Sequence, residues 1–257
     1  MKKILLIYFL SFHAISELTL EITQGTEDPY RVAIIKFSGA DKVTTDIQKV
    51  VFDNLLRTGE FTIFNNEDLL SVPQIEEDIV FNDFRILDID FLVMGKIEDD
   101  GLNIAVEYQV FDISKAKKIR TSTVYGIPNK NRQLAHYVSD GIYQEITGIP
   151  GIASTKILYV TEDNNFKLLI SDADGSNEQV LLESTEPIIS PSWSPDSKKV
   201  AYVSFETGIA KVYIQDIASG NREVAVENSS QISSPAWSPD GKFLSLTMYQ
   251  DGNAEIY

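Results

Sequence analysis

The sequence predicts an α+β amino-terminal domain, built as a mixed sheet with two main helices, followed by all-β propeller blades of the WD40-like kind. Three observations carry that prediction. The stretch Ser192-Trp193-Ser194-Pro195-Asp196-Ser197 is answered by Ala236-Trp237-Ser238-Pro239-Asp240-Gly241, with the two tryptophans 44 positions apart, and one propeller blade takes about 40–50 residues. Upstream of the repeats, two amphipathic stretches at 44–58 and 131–147 stand among short apolar runs. Between the two regions, Gly148-Ile149-Pro150-Gly151 interrupts the second helical pattern, as glycine and proline do at boundaries.

The 257 residues leave room for two domains, since a domain takes about 100–200. An apolar content of 43% with 23% charged residues is that of a globular chain. Cysteine is absent, which removes disulfides and thiol catalysis. The formal charge of −16 argues against nucleic acid, which requires a basic footprint, and would steer a basic partner surface instead.

Residues 1–16 read as a secretory signal peptide cut near Ser16. Lys2 and Lys3 precede an apolar run at 4–12, and Ala14 and Ser16 supply the small residues of a cleavage site. The run is too short to span a bilayer, although an uncleaved anchor is the competing reading. Loss of the two lysines leaves the remainder more acidic still. The expected product is soluble and outside the cytoplasm.

Residues 17–150 form the predicted α/β domain. Its arm, 17–24, alternates Leu18, Leu20 and Ile22 with Glu17, Thr19, Glu21 and Thr23 before Gln24, the pattern of a half-buried strand. A buried strand is expected over 31–37. A helix follows over 44–58, capped by Thr44, Thr45 or Asp46, with Ile47, Val50, Val51 and Leu55 on one face and Gly59 as its stop. A strand at 61–64, a short helix at 66–72 and a buried strand at 91–94 come next, whereas 79–87 is ambiguous. Asp99-Asp100-Gly101 signals a hairpin, between alternating strands that continue through 104–110 and 119–127. In the helix at 131–147, Leu134, Val138, Ile142 and Ile146 recur every four residues.

Residues 151–257 are read as about two and a half blades. A worn first copy at 156–161 and 168–172 parallels 199–204 and 212–216. In each full copy Pro195 or Pro239 presets φ at the first corner of a turn, while Asp196 and Ser197, or Asp240 and Gly241, tolerate the next corners. Trp193 and Trp237 are expected to cement neighbouring sheets.

Reactive chemistry is sparse. His136 is the only histidine besides His13, and it is expected to be a solvated or capping helix residue rather than a triad member with Ser139 and Asp140. Histidine and cysteine supply no evident metal site. Glu76-Glu77-Asp78 and Glu98-Asp99-Asp100 read as solvated loops, with Ca²⁺ the less favoured alternative. Asp172 and Asp216 read as turn residues at strand ends. No catalytic residue, cofactor or metal is predicted.

The order of these parts resembles the TolB family, the periplasmic propeller proteins of the Tol–Pal envelope system in Gram-negative bacteria. The resemblance rests on the leader and Glu17–Ile22, on Arg31–Phe37, Phe91–Ile97 and Glu145–Ile149, and on the two repeats beginning Pro191 and Pro235. It implies a non-catalytic scaffold with a six-bladed propeller. That propeller binds the lipoprotein Pal, the amino-terminal arm engages TolA, and the system supports outer-membrane integrity and constriction during division. Colicins and phage can exploit it. The arm maps onto Glu17–Gln24. Attachment to the membrane would run through the partners, and the full-length protein would be a monomer. Tyr257 matches Tyr213, inside a repeat, so the propeller is expected to be incomplete and Pal contacts are assigned to none of these residues. Two other readings are the propeller of a serine peptidase similar to prolyl oligopeptidase, with its hydrolase domain beyond Tyr257, and a lectin-like propeller.

Overall fold

Val32, Ala33 and Ile34 are inaccessible to solvent because their strand, β1 (Tyr30–Ile34), lies inside a five-stranded sheet. The computed structural model describes residues 28–227, 231–250 and 252–257. The leader at 1–16 and the arm at 17–24 therefore lie outside the described residues. β1 pairs in parallel with β2 (Phe61–Phe64) and β3 (Phe91–Asp99), and β3 continues antiparallel to β4 (Ile104–Asp112) and β5 (Lys117–Gly126). The sheet order is β2-β1-β3-β4-β5.

Parallel neighbours require crossovers, and two helices supply them. α1 (Ile47–Arg57) links β1 to β2, capped by Asp46, whose carboxylate accepts the Lys49 amide at 2.9 Å. Of the three candidate caps, the chain uses the third. α2 (Phe81–Ile86) settles the ambiguous stretch as a short helix before β3. The helix expected over 66–72 shrinks to a single 3-10 turn at Asn66–Asp68, closed by the Asn65–Asp68 capping box. α3 (Asn131–Thr147) follows β5 and ends at Gly148, which has φ +75° and donates its amide to Gln144.

Two apolar layers result. Ile47, Val51 and Leu55 of α1 and Leu134, Val138 and Ile142 of α3 cover one face of the sheet. Phe84 of α2 packs with Ala33, Leu92 and Phe111 on the other. α3 lies close because Gly141 has no side chain: a Cβ there would sit 2.0 Å from the Tyr108 hydroxyl.

Beyond the helix the chain forms three consecutive antiparallel sheets of propeller blades. β6 (Lys156–Glu162), β7 (Phe166–Asp172) and β8 (Gln179–Ser184) make the first. β9 (Ile188–Trp193), β10 (Lys199–Ser204), β11 (Lys211–Asp216) and β12 (Arg222–Glu227) make a complete four-stranded blade. β13 (Ile232–Trp237), β14 (Leu244–Gln250) and β15 (Asn253–Ile256) make the third. The sheets stack. Leu168 of the first packs with Ile188, Val200, Tyr202 and Trp193 of the second, and Val203 and Val212 of the second pack with Ile232 and Leu246 of the third.

The repeated turns are nearly superposable in their bonding. The Ser197 amide donates to the Ser194 carbonyl, and the Gly241 amide to the Ser238 carbonyl, both at 2.9 Å. Asp196 accepts Ser194 Oγ at 2.7 Å and the Lys198 amide at 3.1 Å, while Asp240 accepts Ser238 Oγ at 2.6 Å and the Lys242 amide at 3.1 Å. Ser197 and Gly241 both take positive φ, 57° and 69°. That conformation is free for glycine and costs serine roughly 1 kcal/mol.

Candidate functional site

α3 presents a second stripe beside the apolar one. Arg132, His136 and Asp140 are four residues apart, so they line one flank, and that flank faces the linker and the first blade. Asp140 accepts the amides of Ala153 at 2.6 Å and Ser154 at 3.0 Å. Gly151 makes this clamp possible, because a Cβ there would lie 2.5 Å from the Asp140 Cα. Arg132 reaches across to Asp174, with Nε 3.0 Å from Oδ2 and Nη2 on the same oxygen. Asp174 sits in the turn after β7, where the Ser176 amide donates to its other oxygen at 2.9 Å.

His136 lies between these two anchors and is only 2% exposed. The expectation of a solvated or capping residue is therefore wrong, because the first blade covers the flank of α3 that the helix pattern leaves open. Asn54 of α1, itself buried, places Nδ2 2.8 Å from His136 Nδ1 and donates also to Ser139 Oγ at 2.9 Å. Nδ1 thus accepts, and the ring hydrogen of the neutral imidazole belongs on Nε2. Nε2 lies 3.7 Å from Oδ2 of both Asp172 and Asp174, beyond hydrogen-bond distance. Asp172 is held by Lys156 Nζ at 2.6 Å and Asn177 Nδ2 at 2.5 Å.

Burial pushes the His136 pKa below the usual imidazole range, outweighing the opposite pull of Asp174 and Asp172. Burial would raise Asp174, but the Ser176 amide and the Arg132 guanidinium prevail and hold it below the usual carboxylate range. At neutral pH the joint contains a neutral ring facing an ionised carboxylate. A groove of about 330 Å³ opens beside it, lined mainly by apolar groups that include Leu55, Tyr143, Ile149, Pro150 and Ile152.

His136, Ser139 and Asp140 do not form a nucleophilic triad. Ser139 Oγ donates to the Ala135 carbonyl at 2.7 Å, and the Asp140 carboxylate is spent on the linker. The two acidic clusters are not simple loops: Glu76–Asp78 is a 3-10 turn in which Glu76 pairs with Lys118, Glu98 and Asp99 end β3 with Glu98 paired to Lys96, and Asp99 and Asp100 accept turn amides. Asp216 is a turn residue, accepting the Ser219 amide at 2.8 Å. Asp172 is more than that, since it joins His136 and Asp174 in a cluster whose ligand atoms all lie within 4.8 Å of one another. The view that histidine contributes to no candidate metal cluster is corrected accordingly. The sequence signal for this joint is the four-residue spacing of Arg132, His136 and Asp140.

Trp193 ends β9 and Trp237 ends β13, each paired with the next strand, while Pro195 and Asp196, and Pro239, Asp240 and Gly241, form the turns that follow them.

Comparison with known proteins covers both halves. Residues 18–119 match the family model described as the TolB amino-terminal domain, and residues 143–257 match that of the TolB beta propeller domain. The Tol-Pal system protein TolB of Alcanivorax borkumensis is 40% identical over 74% of this chain and 45% of its own length. The Tol-Pal system protein TolB of Alkalilimnicola ehrlichii is 37% identical over 76% of this chain and 47% of its own. The crystal structure of TolB from Acinetobacter baumannii superposes with a TM-score of 0.83 at 35% identity, covering 92% of this chain and 59% of that one. The chain spans about half the length of the curated relatives it matches. With both family models matched in order and the fold shared at that similarity, the chain belongs to the TolB family.

Proposed function

We propose that this protein is a non-catalytic, periplasmic protein-binding component of the Tol–Pal system. It joins inner-membrane Tol proteins to the outer-membrane lipoprotein Pal, and so supports outer-membrane integrity and constriction during division. The observation that carries this reading is the succession of TolB amino-terminal and propeller matches along one chain. Two further features agree with it. Blades present broad surfaces suited to protein partners, and the one histidine of the described residues is committed to a joint rather than to a nucleophile.

The arm at 17–24 engages TolA by adding a strand to the edge of a partner sheet, for which its alternation is suited. Isothermal titration of TolA into the chain, with and without residues 18–22, tests this. Deletion weakens binding by at least tenfold while the far-ultraviolet spectrum of the α/β half persists. Equal affinity of the two forms overturns the role of the arm.

A further inference from the structure

We propose that His136, Asp172 and Asp174 form a binding site for a divalent transition-metal cation of the Zn²⁺ type, bridging α3 and the first blade. Three independent features converge there. The imidazole comes from α3 and both carboxylates from the end of β7 and the turn after it, yet their ligand atoms fall within 4.8 Å of one another. His136 is almost wholly buried, and its Nε2 has no hydrogen-bond partner among the described residues. A buried polar atom without a partner is costly, and this one is aimed between two carboxylate oxygens at 3.7 Å each.

The spacing suits a small cation. Zinc binds nitrogen and oxygen at about 2.0–2.2 Å, so tetrahedral ligands lie roughly 3.3 Å apart. Each imidazole–carboxylate distance of 3.7 Å needs to shorten by a few tenths of an ångström, and the two carboxylates, which lie within 4.8 Å of each other, close around the cation by side-chain rotation, with the fourth position left for water. One imidazole and two carboxylates favour zinc, manganese or iron(II) over magnesium and calcium, which prefer all-oxygen cages.

Asn54 supplies the supporting contact. Ligation through Nε2 moves the ring hydrogen to Nδ1, which then needs an acceptor. The Asn54 amide already touches Nδ1 at 2.8 Å, and a half-turn about its last torsion presents its oxygen instead, giving up its bonds to Ser139 Oγ and Arg57. The competing cations are Lys156 and Arg132. Lys156 has a side chain 46% exposed and can swing into solvent. Arg132 shares Oδ2 of Asp174, so the cation binds in competition with the guanidinium and more weakly than at a dedicated structural site. Because the ligands come from both sides of the joint, a bound cation would fasten the first blade to α3.

Cobalt(II) is the probe of choice, since its visible absorption reports imidazole and carboxylate ligation. The chain carries His13→Gln throughout, so that His136 is its only imidazole. Titration with Co²⁺ gives a saturable band at one equivalent, Zn²⁺ displaces it, and Zn²⁺ raises the Tm by several degrees where Mg²⁺ at the same concentration does not. His136→Gln, with folding verified by circular dichroism, lowers the affinity at least tenfold. Absence of saturable binding up to millimolar metal overturns the site. So does an unchanged affinity in the His136→Gln form, which would assign the cation to surface carboxylates.

Discussion

The amino-terminal half and the blades bury their apolar residues by different routes. In the first half, one sheet is covered on both faces by helices from the same stretch of chain, α1 and α3 on one side and α2 on the other. In the second, no sheet owns its core. Leu168 of one blade completes the packing of Val200 and Tyr202 in the next, and Ile232 and Leu246 of the third cover Val203 and Val212 of the second. Stability is therefore local in the first half and resides in the interfaces between neighbours in the second, as in other repeat architectures. The joint of Arg132, His136 and Asp140 with the linker and the first blade is where the two regimes meet.

The strongest way to break this contrast is Tyr202→Ala. Tyr202 is fully buried, stacks on Tyr213 at 5.8 Å and donates its hydroxyl to Gln215 at 2.9 Å. Gln215 in turn donates to the Leu181 carbonyl of the first blade at 3.1 Å, so the tyrosine supports a contact between sheets. Truncation of a buried aromatic costs about 3–5 kcal/mol. Hydrogen exchange should show β6–β12 opening together while the amides of β1, β3 and β4 stay protected. Equal loss of protection in both halves would show that the joint couples them into one cooperative unit.

Acid titration sharpens the same contrast from the other side. Asp112, at the end of β4, is a buried carboxylate that burial would raise, but hydrogen bonds from Lys115 and Ser114 outweigh that effect and lower its pKa from 3.8 to about 2. The folded state thus binds this proton less readily than the unfolded chain. Its contribution is complete above the unfolded value and is lost as the pH falls through about 2, and it amounts to about 2 kcal/mol. Asp196 and Asp240 of the blades are also lowered, first by Ser194 and Ser238 and then by turn amides, but they are open to solvent. Urea midpoints of the α/β transition measured between pH 5 and 2 should fall more steeply for the native chain than for Asp112→Asn. Parallel curves would remove Asp112 from the acid response.

Much of this architecture is visible in residue order, and the invisible part has a common cause. α3 keeps its expected limits because Leu134, Val138, Ile142 and Ile146 repeat at helical spacing and all four are buried. The repeated turns are readable because proline, aspartate and serine or glycine at fixed offsets constrain the backbone locally. The joint is different. Asn54 and His136 are 82 positions apart, and Arg132 and Asp174 are 42 apart. Apolar periodicity reports which side of an element is greasy, but it is silent on a polar flank covered later by another part of the chain. His136 therefore reads as solvated until the first blade is in place. The 3-10 turn at Asn66–Asp68 is lost for a local reason: the capping box closes after one turn, which apolar spacing does not register.

The two copies of the turn allow the finest comparison, one within the blades themselves. Ser194 Oγ accepts the Lys199 amide at 2.9 Å, and Ser238 Oγ accepts the Phe243 amide at 3.0 Å. Both hydroxyls accept an amide in the same way, but Ser194 is buried and donates also to the Lys199 carbonyl at 2.9 Å, whereas Ser238 is only half-buried. Removing a hydroxyl partner leaves an amide unsatisfied, and the cost grows when water cannot replace it. Ser194→Ala should therefore cost about 1–1.5 kcal/mol and Ser238→Ala about half as much, read as shifts in the urea midpoint of the blade transition. Equal costs would mean that the turn works as an isolated local unit. A larger cost at Ser194 would instead show that burial sets the worth of the turn, so that even this smallest element depends on what surrounds it, as the blades do and the α/β half does less.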